Sequence, residues 1–204
     1  VNRYIFDKKV TGSITALKNF FLTGPPRSGK TTLLMQIMSS LKEYNVRIAG
    51  IMCPEVRRHG FRWGFKIIDL KRGREGILAS IEVRKGPKIS KYRVNLQDLE
   101  EIGVKALEEA LVDNSQVVII DEIGKMELVS PKFSRVVKLL LDSNKVILGI
   151  IHASYNHPLL NEIRRRNDTK IYWINRNTPE NIRRNIHNEI LKAILERLGG
   201  YAGN

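Results

Sequence analysis

The stretch FFLTGPPRSGKTTLL, Phe20 to Leu34, limits the fold of this chain more than any other. It runs apolar, then glycine and proline, then cationic and hydroxyl-bearing, then apolar again. Lys18 to Thr23 reads as a short buried strand, and Thr31 to Tyr44 carries Leu33, Leu34, Ile37, Met38 and Leu41 at helical spacing. Between them, Gly24-Pro25-Pro26-Arg27-Ser28-Gly29-Lys30-Thr31 satisfies G-x-x-x-x-G-K-[ST]. With Gly near 7% of residues, those fixed positions coincide by chance in only about 1% of chains this long. Such a loop turns backbone N–H groups inward around a phosphate, and the helix that follows adds unpaired amides and the positive end of its dipole. Lys30 would reach the β- and γ-phosphates, Thr31 would place its hydroxyl on Mg²⁺, and Thr32 extends the contact into the helix.

The rest of the chain alternates in the same way. Val46 to Met52 reads as a second strand, followed by β-like pieces at Trp63 to Leu70, Glu75 to Val83 and Lys91 to Leu96, a hairpin or meander. Strand and helix then resume. Leu96 to Val112 is amphipathic and Gln116 to Asp121 is a buried strand. A helix opens with Ser130 as cap and Pro131 at its first position. Lys145 to His152 is another strand, His157 to Arg166 a short helix, and Lys170 to Asn175 a last strand. A final helix begins at Thr178-Pro179, with Thr as its expected cap, and stops at Gly199. Short apolar strands alternating with helices predict a mainly parallel sheet covered on both faces, in one domain spanning residues 1–204 with a small basic β-rich insertion at about 55–96. Residues 1–17 and 199–204 are left unassigned.

The second chemical signal is VVIIDEIGKMEL, Val117 to Leu128. Asp121 is expected to end a buried strand, where a carboxylate holds Mg²⁺. Glu122 follows directly and has no packing reason to be there. Beside a γ-phosphate it could accept a proton from an attacking water. His152, ending the next strand, either senses the γ-phosphate or is a hydrogen-bonded strand-end histidine. Arg57, Arg58, Arg62, Arg164 to Arg166 and Arg183 are candidates for completing the transition-state charge, and the sequence does not choose among them.

Composition adds boundaries. The 204 residues are 42% hydrophobic and 27% charged, ordinary for a globular chain. The apolar runs, such as Val146 to Ile151, fall far short of the roughly 20 residues a bilayer needs, so no membrane partner is expected. The N-terminal VNRYIFDKKV shows no secretion signal, and the single cysteine, Cys53, cannot pair within the chain. Both point to the cytoplasm, with Cys53 a small strand-end residue rather than a nucleophile. The net charge is +14, and between Glu55 and Leu96 twelve Lys or Arg stand against four acidic residues, a local excess of eight. A polyanionic partner is one reading of that cluster and a solubilising surface the preferred one. A monomer is expected.

With these residues assembled, the chain resembles the cancer-related and thermophile nucleoside-triphosphatases, small P-loop enzymes. The resemblance runs from about Phe20 to Leu198. It rests on Thr23 to Leu33, Gly50 to Leu70, Gly86 to Asn95, Val117 to Leu128 and His157-Pro158. It implies a three-layer α/β/α sandwich and Mg²⁺-dependent hydrolysis of ATP, GTP, CTP and UTP or TTP to the diphosphate, with little base preference. It also implies nucleotide contacts in the phosphate loop and across Asp121, Glu122, Ile123, Gly124 and Lys125. Arg27 and Ser90 stand where the family usually has Gly. Arg27 either adds a phosphate contact or obstructs a left-handed backbone angle.

Two other readings share the same cradle. A nucleotide or nucleoside kinase, thymidylate-kinase-like, would use the basic segment as a lid that excludes water. An ATP-dependent nucleic-acid-binding module would use it as a docking surface, though Phe61, Trp63 and Phe65 alternate as a half-buried strand would rather than as a stacking platform. Glu122 beside Asp121 favours water as the acceptor. A Ras-like GTPase is disfavoured, because Ser143 to Ile147 lacks the Asp that closes a guanine-reading motif.

Overall fold

Strand Asn19–Thr23 is buried along its whole length, and its side chains go alternately to two cores: Phe21 to one, Phe20 and Leu22 to the other. That is the signature of a central strand covered on both faces. The computed structural model describes residues 17–199, so the ends of the expected 1–204 domain, residues 1–16 and 200–204, lie outside the described residues. In chain order the elements are β1 (Asn19–Thr23), α1 (Lys30–Glu43), β2 (Ile48–Met52), β3 (Glu55–Arg58), β4 (Phe61–Asp69), β5 (Glu75–Ser80), β6 (Lys88–Ile89) and β7 (Tyr92–Val94). Next, α2 (Leu96–Asp98) runs through a π-helical stretch (Leu99–Val104) into α3 (Lys105–Val112). Then come β8 (Val117–Ile123), a 3-10 turn (Glu127–Val129), α4 (Pro131–Asp142), β9 (Val146–Ile151), α5 (Pro158–Arg165), β10 (Thr169–Trp173) and α6 (Glu180–Arg197).

The strands form one sheet in the order β10-β1-β9-β8-β2-β4-β5-β7-β6, with β3 on β4. From β10 to β2 all pairs are parallel, and from β2 outward all are antiparallel. The basic β-rich segment is therefore a continuation of the central sheet. Helices α1 and α6 pack on one face through Leu34, Ile37, Leu41, Ile190 and Ile194, and α3, α4 and α5 on the other through Leu107, Phe133, Leu140 and Leu160. Each such fully buried side chain contributes about 1.5–3 kcal/mol before the entropy of ordering it. Among the described residues no helix is long and apolar enough to cross a membrane.

Three local expectations need correcting. The predicted helix over Leu96 to Val112 contains the π-helical stretch, where the Ser130 hydroxyl donates to Glu100 at 3.0 Å and ties it to the start of α4. Ser130 still caps α4, its Oγ accepting from the Phe133 amide. At the last helix the N-cap is Pro179, and Thr178 instead turns back: its Oγ1 accepts from the Asn175 amide at 2.9 Å. The third concerns β8, which does not end at Asp121 but runs on through Glu122 to Ile123. Its ladder with β9 is irregular between Ile120 and Ile123, and the Asp121–Glu122 peptide is cis. Pairing with β9 resumes at Ile123 opposite Ile151, so the apolar contact on the far side of the two acids carries the strand past them.

Candidate active site

Parallel strands all present their C-terminal ends at one edge of the sheet, and the loops after β1 and β8 meet there. Gly24 leaves β1 with φ 139°, and a Cβ on it would sit 1.9 Å from the Ile174 carbonyl oxygen. No other residue fits between the loop and the end of β10. Gly29, φ 84°, then occupies the N-cap of α1, and no side chain caps that helix. Its first amides are left to an anion, as the G-x-x-x-x-G-K-[ST] pattern implies. Pro25, Pro26, Arg27 and Thr32 are exposed, and Ser28 is buried.

The Lys30 ammonium lies back across the loop, donating to the carbonyls of Gly24 at 3.0 Å and Pro25 at 2.7 Å and to Ser28 Oγ at 3.3 Å. Burial lowers its pKa, while Glu122 and Asp121 act to raise it. Asp121 is buried and accepts from the Thr31 hydroxyl and the Cys53 amide. Burial, and then the Glu122 charge, push its carboxyl up to about 7 against those bonds and Lys30. Glu122 is half-buried; burial raises its pKa and Lys30 opposes the rise. The structure thus brings Lys30, Thr31, Asp121 and Glu122 together from two segments 90 residues apart in sequence.

A Mg²⁺ ion fits the donor chemistry here. The Thr31 hydroxyl and the Asp121 carboxylate are hard oxygen donors, few enough for the cation to keep water and phosphate oxygens. A cation would also oppose the burial and the second acid that push the Asp121 carboxyl up to about 7. Among the described residues no group of three or more His, Cys, Asp or Glu forms an all-protein cage.

The other residues named from sequence are placed as follows. Ile123 is fully buried in the core, so its side chain has no part in the site. The Gly124 amide donates at 3.0 Å to Oε2 of Glu127, a buried acid that sequence reasoning passed over. Burial first, then Glu122, push Glu127 up to about 8. Lys125 is exposed, 5.5 Å over the Tyr155 ring. His152 is the hydrogen-bonded strand-end histidine: its Nδ1 accepts from the Ser154 and Tyr155 amides, which leaves the proton of the neutral ring on Nε2. Burial, Lys125, Arg164 and Lys30 hold its pKa down. Cys53 also fits its reading, with burial raising the thiol pKa and the Glu122 amide donating to its sulfur.

The candidate arginines are tethered. Arg164 donates to the His152 carbonyl at 2.8 Å, and Arg166 pairs with Asp168 and Asp142. Arg57 and Arg62 hold Glu55, and Arg58 holds Glu82. Arg183 is the exception in kind, because it grips the phosphate loop itself, donating to the Ser28 carbonyl at 3.0 Å. No spacing rule in the sequence ties residue 183 to that loop.

The family model for NTPase matches residues 19–191. The chain belongs to the NTPase family. The nucleoside-triphosphatase THEP1 of Thermofilum pendens is 44% identical over 160 residues, 78% of this chain and 87% of that one. THEP1 of a Thermotoga species is 43% identical over 173 residues, 85% of this chain and 93% of that one. Among solved structures, THEP1 from Aquifex aeolicus superposes with a TM-score of 0.72 at 36% identity, covering 86% of this chain and 98% of its own. A human cancer-related nucleoside triphosphatase gives 0.72 at 33%, covering 88% and 98%. The α/β architecture read from the alternating strands and helices is the architecture of this family, and the chain is a nucleoside-triphosphatase.

Proposed function

We propose that this nucleoside-triphosphatase hydrolyses ATP, GTP, CTP and UTP or TTP to the diphosphate and phosphate in a Mg²⁺-dependent reaction with little base preference. The observation that carries the reading is the convergence of Thr31 and Lys30 from the phosphate loop on Asp121 and Glu122 from β8, close enough to act on one another's charge. It joins the two halves of a γ-phosphate site. Backbone N–H groups from Arg27 to Thr32, past the two prolines, cradle the phosphates, and Lys30 leaves the loop carbonyls for the β- and γ-oxygens. Thr31 and Asp121 would hold Mg²⁺, which when bound would neutralise charge gathering on the phosphate oxygens. Glu122, whose pKa is raised by burial, takes a proton from water as its oxygen bonds to the γ-phosphorus and the bond to the bridging oxygen breaks. Base indifference agrees with a site built from backbone and phosphate-directed groups. Hydrolysis in the cytoplasm by a monomer completes the proposal.

Phosphate release from the four triphosphates, with Mg²⁺ or with EDTA, tests it in wild type and Glu122→Gln. Release from all four without any acceptor is expected, lost in EDTA and reduced about 10²-fold or more in the variant while a fluorescent triphosphate still binds. If release needs an added nucleoside or nucleoside monophosphate, which becomes phosphorylated, the enzyme is a kinase and the role given to Glu122 is wrong.

A further inference from the structure

The twelve basic residues between Glu55 and Leu96 are not equivalent. The seven from Arg57 to Arg74 each hold a carboxylate. Arg84, Lys85, Lys88, Lys91 and Arg93 have no ion pair among the described residues, and all five are exposed. Lys88 and Arg93 stand directly opposite each other across β6 and β7, an arrangement of like charges that weakens a strand pair. Protection of a free sheet edge explains lysines on β6 and at its turn. It does not explain Arg84 and Lys85 before the edge strand, or Arg93 on the inner strand β7.

Strand register fixes where this charge lies. Met52, the last residue of β2, pairs with Ile68, so β4 from Phe61 to Ile67 continues beyond the catalytic edge of the sheet, Phe61 by about 23 Å at 3.3 Å per residue. Arg93 pairs with Ser80, and Ser80 with Gly64, four residues beyond that edge. The unpaired cations are therefore on the same side of the sheet as Lys30 and Asp121. The ribbon beside them carries an exposed ring: Phe61 is 78% exposed, directly opposite Arg58. The Arg58 guanidinium lies 3.7 Å over Trp63 and pairs with Glu82, two residues before Arg84. The alternation read from sequence as a half-buried strand holds for Trp63 and fails for Phe61, because the ribbon has left the core by then.

We propose that this part of the sheet binds single-stranded nucleic acid beside the triphosphatase site, phosphates on the five unpaired cations and a base stacked on Phe61. Five uncompensated charges supply the counterion-release term, and an exposed aromatic ring beside them supplies stacking that a bare polyanion would not use. The surface is separate from the hydrolytic residues, so binding read without nucleotide stands or falls independently of the hydrolysis proposed above.

Fluorescence anisotropy of fluorescein-labelled oligo(U) and oligo(dT), each about 15 nucleotides long, titrated with the protein between 50 and 200 mM salt, is the test. Saturable binding that weakens with salt is expected. The variant Arg84→Gln/Lys85→Gln/Lys88→Gln/Lys91→Gln should bind about tenfold or more weakly, with a log–log salt slope shallower by about 3. Phe61→Ala should weaken binding by roughly tenfold with the slope unchanged. Both should keep the wild-type melting temperature and basal phosphate release. No saturable wild-type binding at the lowest salt would overturn the proposal, as would a four-site variant that binds like wild type. So would Phe61→Ala binding like wild type while heparin displaces the oligonucleotides, since that surface would recognise charge alone.

Discussion

Arg183, on the first turn of α6, donates through Nη1 to the carbonyl of Ser28 at 3.0 Å, joining the last helix to the phosphate loop 155 residues earlier. The same guanidinium donates to the Asn175 carbonyl at 2.7 Å and, through Nε, to the Thr178 carbonyl at 3.1 Å. A Cβ on Gly29 would come within 3.0 Å of Nη1, so the loop needs glycine there both for its backbone angle and for the arginine's approach. Three carbonyls in a fixed fork suit a guanidinium and not an ammonium. Arg183→Lys is therefore expected to raise KM for ATP several-fold, with kcat reduced less and the melting temperature lowered by a few degrees. Equal KM values in the variant and wild type would show that the loop keeps its shape without the arginine.

Lys30→Ala separates catalysis from folding. The ammonium makes three hydrogen bonds within the loop, but it is partly desolvated to do so, and the two effects oppose each other. Turnover is expected to fall by about 10²-fold or more, because the charge at the transferring phosphoryl group is gone. The melting temperature should stay within about 2 °C. A variant that keeps its activity while melting much lower would make Lys30 a structural residue.

The phosphate loop is legible in the sequence because its chemistry is local: glycine, lysine and threonine must stand at fixed spacing for one helix end to receive one phosphate. Asp121 and Glu122 are legible for a related reason, two acids at the end of a run that otherwise buries every side chain. Sequence puts Asp121 at the strand end only because it shows that run's apolar stop and not the partner strand. The pairing of Ile123 with Ile151 that prolongs β8 is a property of β9. Thr178 reads as a cap since Thr-Pro is a local signal, whereas the turn it closes depends on Asn175. Arg183 and Glu127 act through contacts across the fold or around a loop, and no periodicity records such contacts.

Arg27 and Ser90 lie in the left-handed region, with φ 59° and 57°. These are the two positions at which the resemblance noted from sequence leads one to expect Gly. Both are exposed, and a side chain with a Cβ costs roughly 1 kcal/mol in that conformation. Gly relieves the strain but frees the unfolded chain, which offsets part of the gain. Arg27→Gly and Ser90→Gly are each expected to stabilise by a few tenths of a kcal/mol up to about 1 kcal/mol in chemical denaturation. If either variant proves less stable, its side chain makes a compensating interaction, and for Arg27 a companion measurement of triphosphate affinity would show whether phosphate is the partner.

Glu127 gives the fold a pH dependence that one substitution can isolate. Its carboxyl titrates near 8 in the folded protein, chiefly through burial, against 4.5 as the ordinary value. Between those two values the native state holds a proton that the unfolded chain has released. Stability contributed by this group is therefore full at low pH and falls as pH rises through the window. The loss is at most a few kcal/mol, because each tenfold change in a protonation equilibrium is worth about 1.4 kcal/mol. Gln at this position mimics the protonated acid, and its oxygen can still accept from the Gly124 amide. Glu127→Gln should melt close to wild type near pH 5 and several degrees higher near pH 8.5. Asp121 and Glu122 have pKa values raised in the same direction and are present in both proteins, so the difference between the two curves reports the Glu127 charge together with its repulsion of those two acids. Parallel curves across that range would mean that Glu127 is ionised in the fold, and that backbone amides such as that of Gly124 stabilise its charge more than burial opposes it.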